Sequence, residues 1–450
     1  MANIFRRKKK EVSKAYSPTV WVGGAPVVFY NYGQEDFVRK GYAENAEVYS
    51  IIKKITDTAN IATPYVYVDK EGVKSRNTLA ITRKARDTAI GAGKHRLAVR
   101  KALDFADIDL DLSQLLEKPN PFQTWKEFIT LKNVFYFAEG EAFIYRVAGN
   151  DGCAIEMYVL PAHLMTPIID TKKSYLEQDI LVGWQLNLLN GKTRNFMGDE
   201  MADLLHFKMP NPLFDDKFSQ LRGFSPLMAG LKYLKLDDTA IESWVKSVQN
   251  EGAKGLISPN HANPELWLTP EQVEETQRIT DEKIHGADNR NKIVVSGMPL
   301  QYTHIGLSPD ALNIVKGLEH ANFKLCNLWG VPPELFNPNP TYANQKEASK
   351  RLIKEVILPH LNAEEDKLNS WLVEPFSKRD NKNYVIDYDL SSYEELRITA
   401  EEANALLTTH TLNEVRVMQG SDELDNDYAN EVFIEQGKVP LSDFNLDITI

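Results

Sequence analysis

GFSPLMAGLKYLKLDDTAIESWVKSVQ, residues 223–249, is the stretch from which the rest of the chain is read. Leu227, Leu231, Leu234, Ile241, Val245 and Val248 recur at spacings of 4, 3, 7, 4 and 3, which places them along one side of a helix. From Ser225 to Gln249 that helix would be roughly 36 Å long at about 1.5 Å per residue. Gly223 and Pro226 suit its start, and Gly252 and Gly255 its end. SPDALNIVKGLEHANFKLCNLWG, residues 308–330, predicts a partner helix from Ser308 to Trp329. Ser308 is its N-cap, Pro309 its first position, Leu312, Val315, Leu318, Leu325 and Leu328 its apolar positions, and Gly330 its stop. Between the two helices the pattern predicts strand Gly255–Ser258, helix Pro270–His285, and strands Lys292–Ser296 and Leu300–Ile305. Two long helices bracketing a small α/β module is an uncommon plan.

Upstream, residues 1–20 read as a loose basic arm carrying Arg6-Arg7-Lys8-Lys9-Lys10. A helix is predicted over Asn45–Ala59, with Val48, Ile51, Ile52 and Ile55 on one face, followed by strand Tyr65–Val68. The turn Pro119-Asn120-Pro121 leads into an amphipathic helix, Trp125–Phe137. Strands Glu141–Val147 and Ile155–Leu160 follow, then Gly183–Met197 folded at Asn190-Gly191. Downstream, Pro332, Pro333, Pro338 and Pro340 impose an irregular stretch. A third helix, Ala343–Val373, carries Leu352, Val356, Leu361, Leu368 and Leu372, with a kink expected at Pro359. Strand Tyr384–Leu390 and a mostly helical, acidic segment Tyr393–Gln436 complete an α+β chain.

The composition, 450 residues with 43% hydrophobic and 26% charged, excludes disordered, collagen-like and coiled-coil classes and allows two or three domains. Cys153 and Cys326 are too few and too far apart for a disulfide framework or a zinc site, so the chain reads as intracellular and reduced. The most apolar stretch, Val134–Val147, carries Glu139, Glu141 and Arg146, and no membrane span is expected. The basic N-terminus lacks the apolar segment of a secretory signal. Charge is unevenly placed: residues 385–450 hold fifteen acids and three bases, whereas Lys74–Lys101 holds nine bases and one acid, Asp87. That segregation predicts a body with two electrostatically distinct ends.

Few residues suggest chemistry. Gly191-Lys192-Thr193 has Leu186 where a phosphate-binding loop needs a glycine, and Gly91-Ala92-Gly93 lacks the third glycine of a dinucleotide fingerprint. The nine histidines are scattered, with none at ligand spacing, and no Gly-x-Ser-x-Gly elbow occurs. Asp387 and Asp389 share one face of a strand, as a metal-dependent nuclease would need. The blander reading is a solvent-facing edge with Ile386, Tyr388 and Leu390 turned inward. The chain therefore reads as a non-enzyme. One constellation remains: Lys346, Lys350 and Lys354 at i, i+4 and i+8, with Arg351, directly after the polar loop Asn337–Gln345. Such a face can touch a phosphate backbone without reading bases. Its alternative is a solvated surface with Glu347 and Arg351 paired.

The order of these segments resembles the portal proteins of tailed bacteriophages, the family associated with siphovirus-type capsids. The resemblance rests on Asn45-Ala46-Glu47-Val48-Tyr49, Leu115-Leu116-Glu117-Lys118-Pro119-Asn120-Pro121, Gly140-Glu141-Ala142-Phe143-Ile144 and Leu205-His206-Phe207. It continues in Gly223-Phe224-Ser225-Pro226-Leu227, Trp329-Gly330-Val331-Pro332-Pro333-Glu334-Leu335-Phe336, Leu358-Pro359 and Asn413-Glu414-Val415-Arg416. It spans about Asn45 to Asn430. It departs in the length of the basic segment Lys74–Lys101 and in Trp329, where phenylalanine is more usual.

The resemblance implies a ring, usually of twelve subunits, at one capsid vertex, serving as the channel for DNA packaging and ejection. It implies a basic arm (1–20), a wing (21–222), stem helices (223–253 and 307–330) around a clip (254–306), a tunnel loop, kinked wing helix and wing strand (331–392), and a crown (393–450). Asn337, Asn339, Thr341, Tyr342, Asn344, Gln345, Lys346 and Lys350 would face double-stranded DNA. Partners would be the terminase large subunit, major capsid and scaffold proteins, and neck or adaptor proteins, with no cofactor, metal or membrane. The location would be the virion, and the host cytoplasm during assembly. An acidic crown would keep sliding barriers low. Two other readings stand beside it: a metal-dependent DNA-processing enzyme using Asp387 and Asp389, and a neck or adaptor ring. A defective prophage or a gene transfer agent could equally carry such a chain.

Overall fold

The computed structural model describes residues 19–22, 25–28, 37–70, 76–170, 181–188, 191–213, 219–249, 255–259, 269–283, 300–304, 314–337, 341–434 and 439–440. Strands β1 (Thr19–Val22) and β2 (Ala25–Val28) pair with each other and with no other strand among the described residues, and the first begins inside the stretch read as a loose arm. Helix α1 (Ala46–Ala59) is set by Asn45, whose side chain accepts the Val48 amide at 3.0 Å. Its Val48, Ile51, Ile52 and Ile55 are fully buried. Strand β3 (Thr63–Asp69) follows. The basic segment folds into a helical hairpin, α2 (Arg76–Lys84) and α3 (Ala89–Ala102), before the short strand β4 (Leu103–Phe105) and helix α4 (Asp111–Glu117).

Helix α5 (Trp125–Glu139) begins with a reciprocal capping box, Thr124 with Glu127, and ends at Gly140 in the left-handed region, φ +80°. It is not amphipathic as expected. Phe128, Ile129 and Phe135 point into one core while Val134, Phe137 and Ala138 point into another. A helix buried on all sides must neutralise its polar residues internally. Lys132, fully buried, accordingly pairs with Glu364 at 2.5 Å.

Three antiparallel sheets surround these helices. One runs β10 (Leu204–Lys208), β5 (Glu141–Ala148), β6 (Ala154–Leu160), and a second β7 (Met165–Ile169), β8 (Leu181–Asn187), β9 (Thr193–Met197). The third runs β13 (Tyr384–Asp389), β3, β4, with β3 central, so a C-terminal strand pairs with one side of the N-terminal strand β3. The turn expected at Asn190-Gly191 lies partly outside the described residues; Gly191 has φ +76°.

The decisive helix is observed as α6 (Pro226–Gln249), and its partner as α8 (Ile314–Leu328). They lie antiparallel: Gly230 meets Leu328, where an added Cβ would fall 2.3 Å from a leucine methyl, and Tyr233 faces His320. Between them are β11 (Gly255–Pro259), α7 (Pro270–Lys283) and β12 (Leu300–His304), with β11 and β12 paired antiparallel. The start expected at Ser308-Pro309 and the strand Lys292–Ser296 lie outside the described residues. The apolar seam is buried only in its first half. Leu227 and Leu234 are fully covered, but Ile241 and Val245 are 42% and 47% exposed.

The third helix is longer than predicted and its kink is resolved differently. Helical backbone runs from α9 (Tyr342–Leu352) through a wide π turn, Ile353–Ile357, into α10 (Leu358–Leu368). It then passes a second π turn, Asn369–Val373, into α11 (Glu374–Asp380). Each π turn stands just ahead of a proline, Pro359 and Pro375. At the first, the Leu358 amide reaches back five residues to Ile353. The widened turn accommodates a ring that would otherwise strike the carbonyl four residues earlier. The segment after Tyr393 is helical only in pieces, chiefly α12 (Ala400–Leu406) and α13 (Leu412–Gln419), because the run of acids from Asp422 to Asp427 stays largely extended and exposed. Among the described residues no helix is long and apolar enough to cross a membrane.

Candidate nucleic-acid interface and the joint behind it

Helices α6 and α8 leave the body at a joint built from residues far apart in sequence. An added Cβ on Gly140 would lie 2.1 Å from the Phe224 carbonyl oxygen, and one on Gly223 would lie 2.2 Å from the Gly140 carbonyl oxygen. Backbone packed this closely on backbone admits only glycine. Next to Gly140, the buried Glu141 carboxylate accepts Arg222 Nε–H at 2.6 Å and the Gly223 amide at 2.8 Å, and meets His206 Nε2 at 3.0 Å. Burial alone would raise this carboxyl, but His206 and Arg222 outweigh it and hold the group below its ordinary value. Ser225 Oγ donates to the Ala138 carbonyl at 2.6 Å and accepts the Leu227 amide at 3.2 Å, setting the start of α6. Trp329 Nε1–H donates to the Phe137 carbonyl at 3.0 Å. Asn45 donates to Asp237 at 2.9 Å and Asp238 at 3.1 Å, clamping α1 to α6. Motif words at Asn45, Gly140-Glu141, His206, Gly223–Leu227 and Trp329 thus pack around the first half of α6 and the turn before it. Their chemistry is that of a joint, and the clue to it was the glycine beside an acid at 140–141 with a second glycine at 223.

Beyond this joint lies the loop read as facing DNA. Gly330, φ +69°, ends α8, and Val331 anchors the chain in the core at 1% exposure. On the far side Ala348 and Leu352 of α9 are buried. Between these anchors Asn337, Thr341, Tyr342, Asn344, Gln345 and Lys346 are all exposed; Asn339 lies outside the described residues. The basic face divides in two. Lys354 pairs with Asp87 at 3.3 Å, and Arg351 reaches Glu355 at 4.0 Å rather than the expected Glu347. Lys346 and Lys350 pair with no carboxylate among the described residues. Two exposed, unneutralised ammonium groups beside an open polar loop suit contact with phosphate oxygens. A groove of about 500 Å³ separates Tyr342, Gln345, Lys346 and Ser349 from Glu394, Glu395 and Arg397.

Asp387 does not lie on a solvent-facing edge. It is buried with Glu365, Arg86 and His95, which come from α10, the α2–α3 connection and α3. Arg86 donates to Glu365 at 2.6 Å and to Asp387 at 3.4 Å, and also bonds Asn362. His95 Nε2 lies 3.1 Å from Asp387, and Arg83 bridges toward Glu365, Asp366 and Asp387. Burial and the neighbouring Asp387 push the Glu365 carboxyl up to about 8. Burial works against Asp387 too, but His95 and Arg86 hold it well below the ordinary range. The guanidinium of Arg86 fills the space between the carboxylates where a cation would sit. Asp389 instead accepts from Ser391, with Arg96 at 3.9 Å. Among the described residues no group of three His, Cys, Asp or Glu side chains is placed to hold a metal ion.

The same contacts overturn the expectation of two electrostatically distinct ends. Lys101 pairs with Glu414, Arg96 with Asp389 and the Met418 carbonyl, and Arg83 and Arg86 with Asp387. Opposite charges separated by some three hundred residues dock α2 and α3 onto β13 and α13. Among the described residues, the exposed acids left without an ion pair include Glu394, Glu401 and those of the stretch from Asp422 to Asp427.

A family model described as "Phage portal protein" matches residues 89–420. A relative called an uncharacterized protein, from Rickettsia bellii (strain RML369-C), is 26% identical over 322 residues, covering 69% of this chain and 77% of its own. Among solved structures, a chain in the neck of a native GTA particle computed with C12 symmetry matches 88% of this chain and 96% of its own, with 21% identity and a TM-score of 0.56. A chain in the virion of a native gene transfer agent particle matches the same shares at 20% identity and TM-score 0.56. The family match extends over well more than half of the sequence, from the α3 helix to the end of α13, and so the chain belongs to the phage portal protein family.

Proposed function

We propose that the chain is a portal: a ring at one capsid vertex whose channel passes double-stranded DNA during packaging and ejection. The observation that carries the reading is the α6–α8 pair. It projects from a rigid joint yet keeps Leu236, Ile241, Val245 and Phe323 between 41% and 47% exposed. Ile241 and Val245, one turn apart on the same face of α6, need a cover, and a neighbouring copy in a ring supplies it by head-to-tail contact. The twelvefold symmetry used for the gene transfer agent neck supports twelve copies.

In this reading residues 21–222 form the wing, α6 and α8 the stem, and 254–306 the clip. The clip would dock the terminase large subunit and later the neck or adaptor proteins, while the wing would meet scaffold and major capsid proteins. Assembly would occur in the host cytoplasm and the product would reside in the virion. Lys346 and Lys350 would touch passing phosphates without base selection, because contacts to the phosphate backbone carry no sequence information. The exposed acids after Gly420 would repel DNA and keep it sliding. Native mass with negative-stain imaging tests the ring: twelve copies of the 51.1 kDa chain give about 613 kDa and particles with a central hole. A monomer at every salt concentration would overturn it.

A further inference from the structure

Among the described residues, the three-stranded sheet β13–β3–β4 has an open edge, and the strand pair β1–β2 is extended by no third strand. β4 lies at that edge. The bonds from Lys70 N–H to Ala102 and from Ala106 N–H to Val66 fix the alternation, so the peptide groups of Leu103 and Phe105 point away from β3. The Leu103 amide is used by the Val99 carbonyl, which leaves Phe105 as the open position. Beside it lies an apolar groove of about 670 Å³, walled by Tyr65, Trp125 and Ile129 and rimmed by Phe105 and Ile108, which are 59% and 78% exposed.

The rim is acidic: Asp104, Asp107, Asp109 and Asp111 are all exposed. Lys70 and Arg379 pair with the first and last, while Asp107 and Asp109 have no ion pair among the described residues. The opposite character sits at the start of the sequence. Strands β1 and β2, Thr-Val-Trp-Val and Ala-Pro-Val-Val, are uncharged, and residues 1–18 before them hold six bases against one acid, Glu11. A lone two-stranded ladder is marginal in water and gains stability from a third strand. Basic and acidic stretches would then lie side by side.

We propose that the β1–β2 strand pair of a neighbouring copy adds to the β4 edge, bringing Trp21 to the apolar groove and its basic arm to the Asp107–Asp109 rim. The neighbour is favoured over the same chain because, among the described residues, the chain's own β1 and β2 pair with each other and leave its β4 edge unextended. The inference rests on the ring reading, which places a second copy alongside the first.

The test introduces Trp21→Cys with Phe105→Cys, or Trp21→Cys with Ile108→Cys, into the full-length chain, whose own Cys153 and Cys326 are buried. Mild oxidation should give a ladder of covalent dimers and larger species on a non-reducing gel. Deleting residues 1–36 should speed amide exchange at Phe105 at least tenfold in the assembled particle. Native mass is measured on the same samples. Rings that show no ladder, or only an intrachain crosslink, with exchange at Phe105 unchanged by the deletion, overturn the inference and leave the ring standing. A monomeric native mass overturns both.

Discussion

Arg86 is the side chain on which the buried cluster turns. It holds Glu365 and Asp387 together inside the protein, and truncating one partner of a buried ion pair costs far more than the pair itself contributes. Arg86→Met is expected to lower stability by about 3–5 kcal/mol, read by chemical denaturation, because buried Asp387 loses a neutralising cation and buried Glu365 loses its hydrogen-bond donor. Glu365 adds a pH dependence. Its carboxyl is raised to about 8 in the folded chain, so between its ordinary value near 4.5 and about 8 the folded state holds a proton that the unfolded state has released. Stability should therefore fall as pH rises through that window. Glu139, raised to about 7 mainly by burial, acts in the same direction. Asp387, depressed by His95 and Arg86 against its burial, contributes stability that is lost only as pH falls below the ordinary aspartate range. A thermal midpoint that declines from pH 5.5 to 8, with a shallower slope in Glu365→Gln, is the expected outcome; an identical slope would count against the assignment. Asp387 shows the limit of local reading, since its partners lie about 20 to 300 residues away and only the fold brings them together.

Among the elements, the joint at Gly140, Glu141 and Gly223 decides whether the α6–α8 pair is held at a fixed angle. Gly223→Ala places a methyl 2.2 Å from a carbonyl oxygen, so the backbone must move, at a cost of about 1–3 kcal/mol or more. Reduced yield and faster proteolysis around residues 209–226 would report it. Trp329→Phe keeps the aromatic body but leaves the buried Phe137 carbonyl without its donor, and about 1–3 kcal/mol is expected on denaturation. Helix positions were legible in the residue spacing, as Val48, Ile51, Ile52 and Ile55 show. The two π turns were not, because a proline announces a broken ladder without saying how the chain repairs it.

Assembly adds predictions about surfaces. Ile241→Asp with Val245→Asp changes side chains that are already exposed, so the subunit should fold normally, with an unchanged thermal midpoint. Like charges would then face each neighbouring stem, and the native mass should drop from about 613 kDa toward 51.1 kDa. Lys346→Ala with Lys350→Ala should leave ring assembly intact and reduce DNA packaging or retention. Normal full-genome packaging by that double variant would remove the two lysines from the DNA path. The charge pattern teaches the same lesson at this size: the basic stretch Lys74–Lys101 and the acidic C-terminal segment looked like two poles, yet Arg83, Arg86, Arg96 and Lys101 are spent on Asp387, Asp389 and Glu414.

Periodicity and punctuation are local properties, so the α+β class, the paired long helices around an insert and the family words could be read directly from residue order. The apolar repeat at Leu227, Leu231 and Leu234, the glycine at 330 and the polar loop from Asn337 to Gln345 each act within a few residues of themselves. Partner choice is not local. Which lysines stay free, that Asp387 is buried against Arg86, that Gly140 touches Phe224, and that Ile241 and Val245 lie open all depend on segments brought together across hundreds of residues. Only packing in three dimensions decides them, because burial and ion pairing are energies between neighbours in space, and sequence distance sets neither.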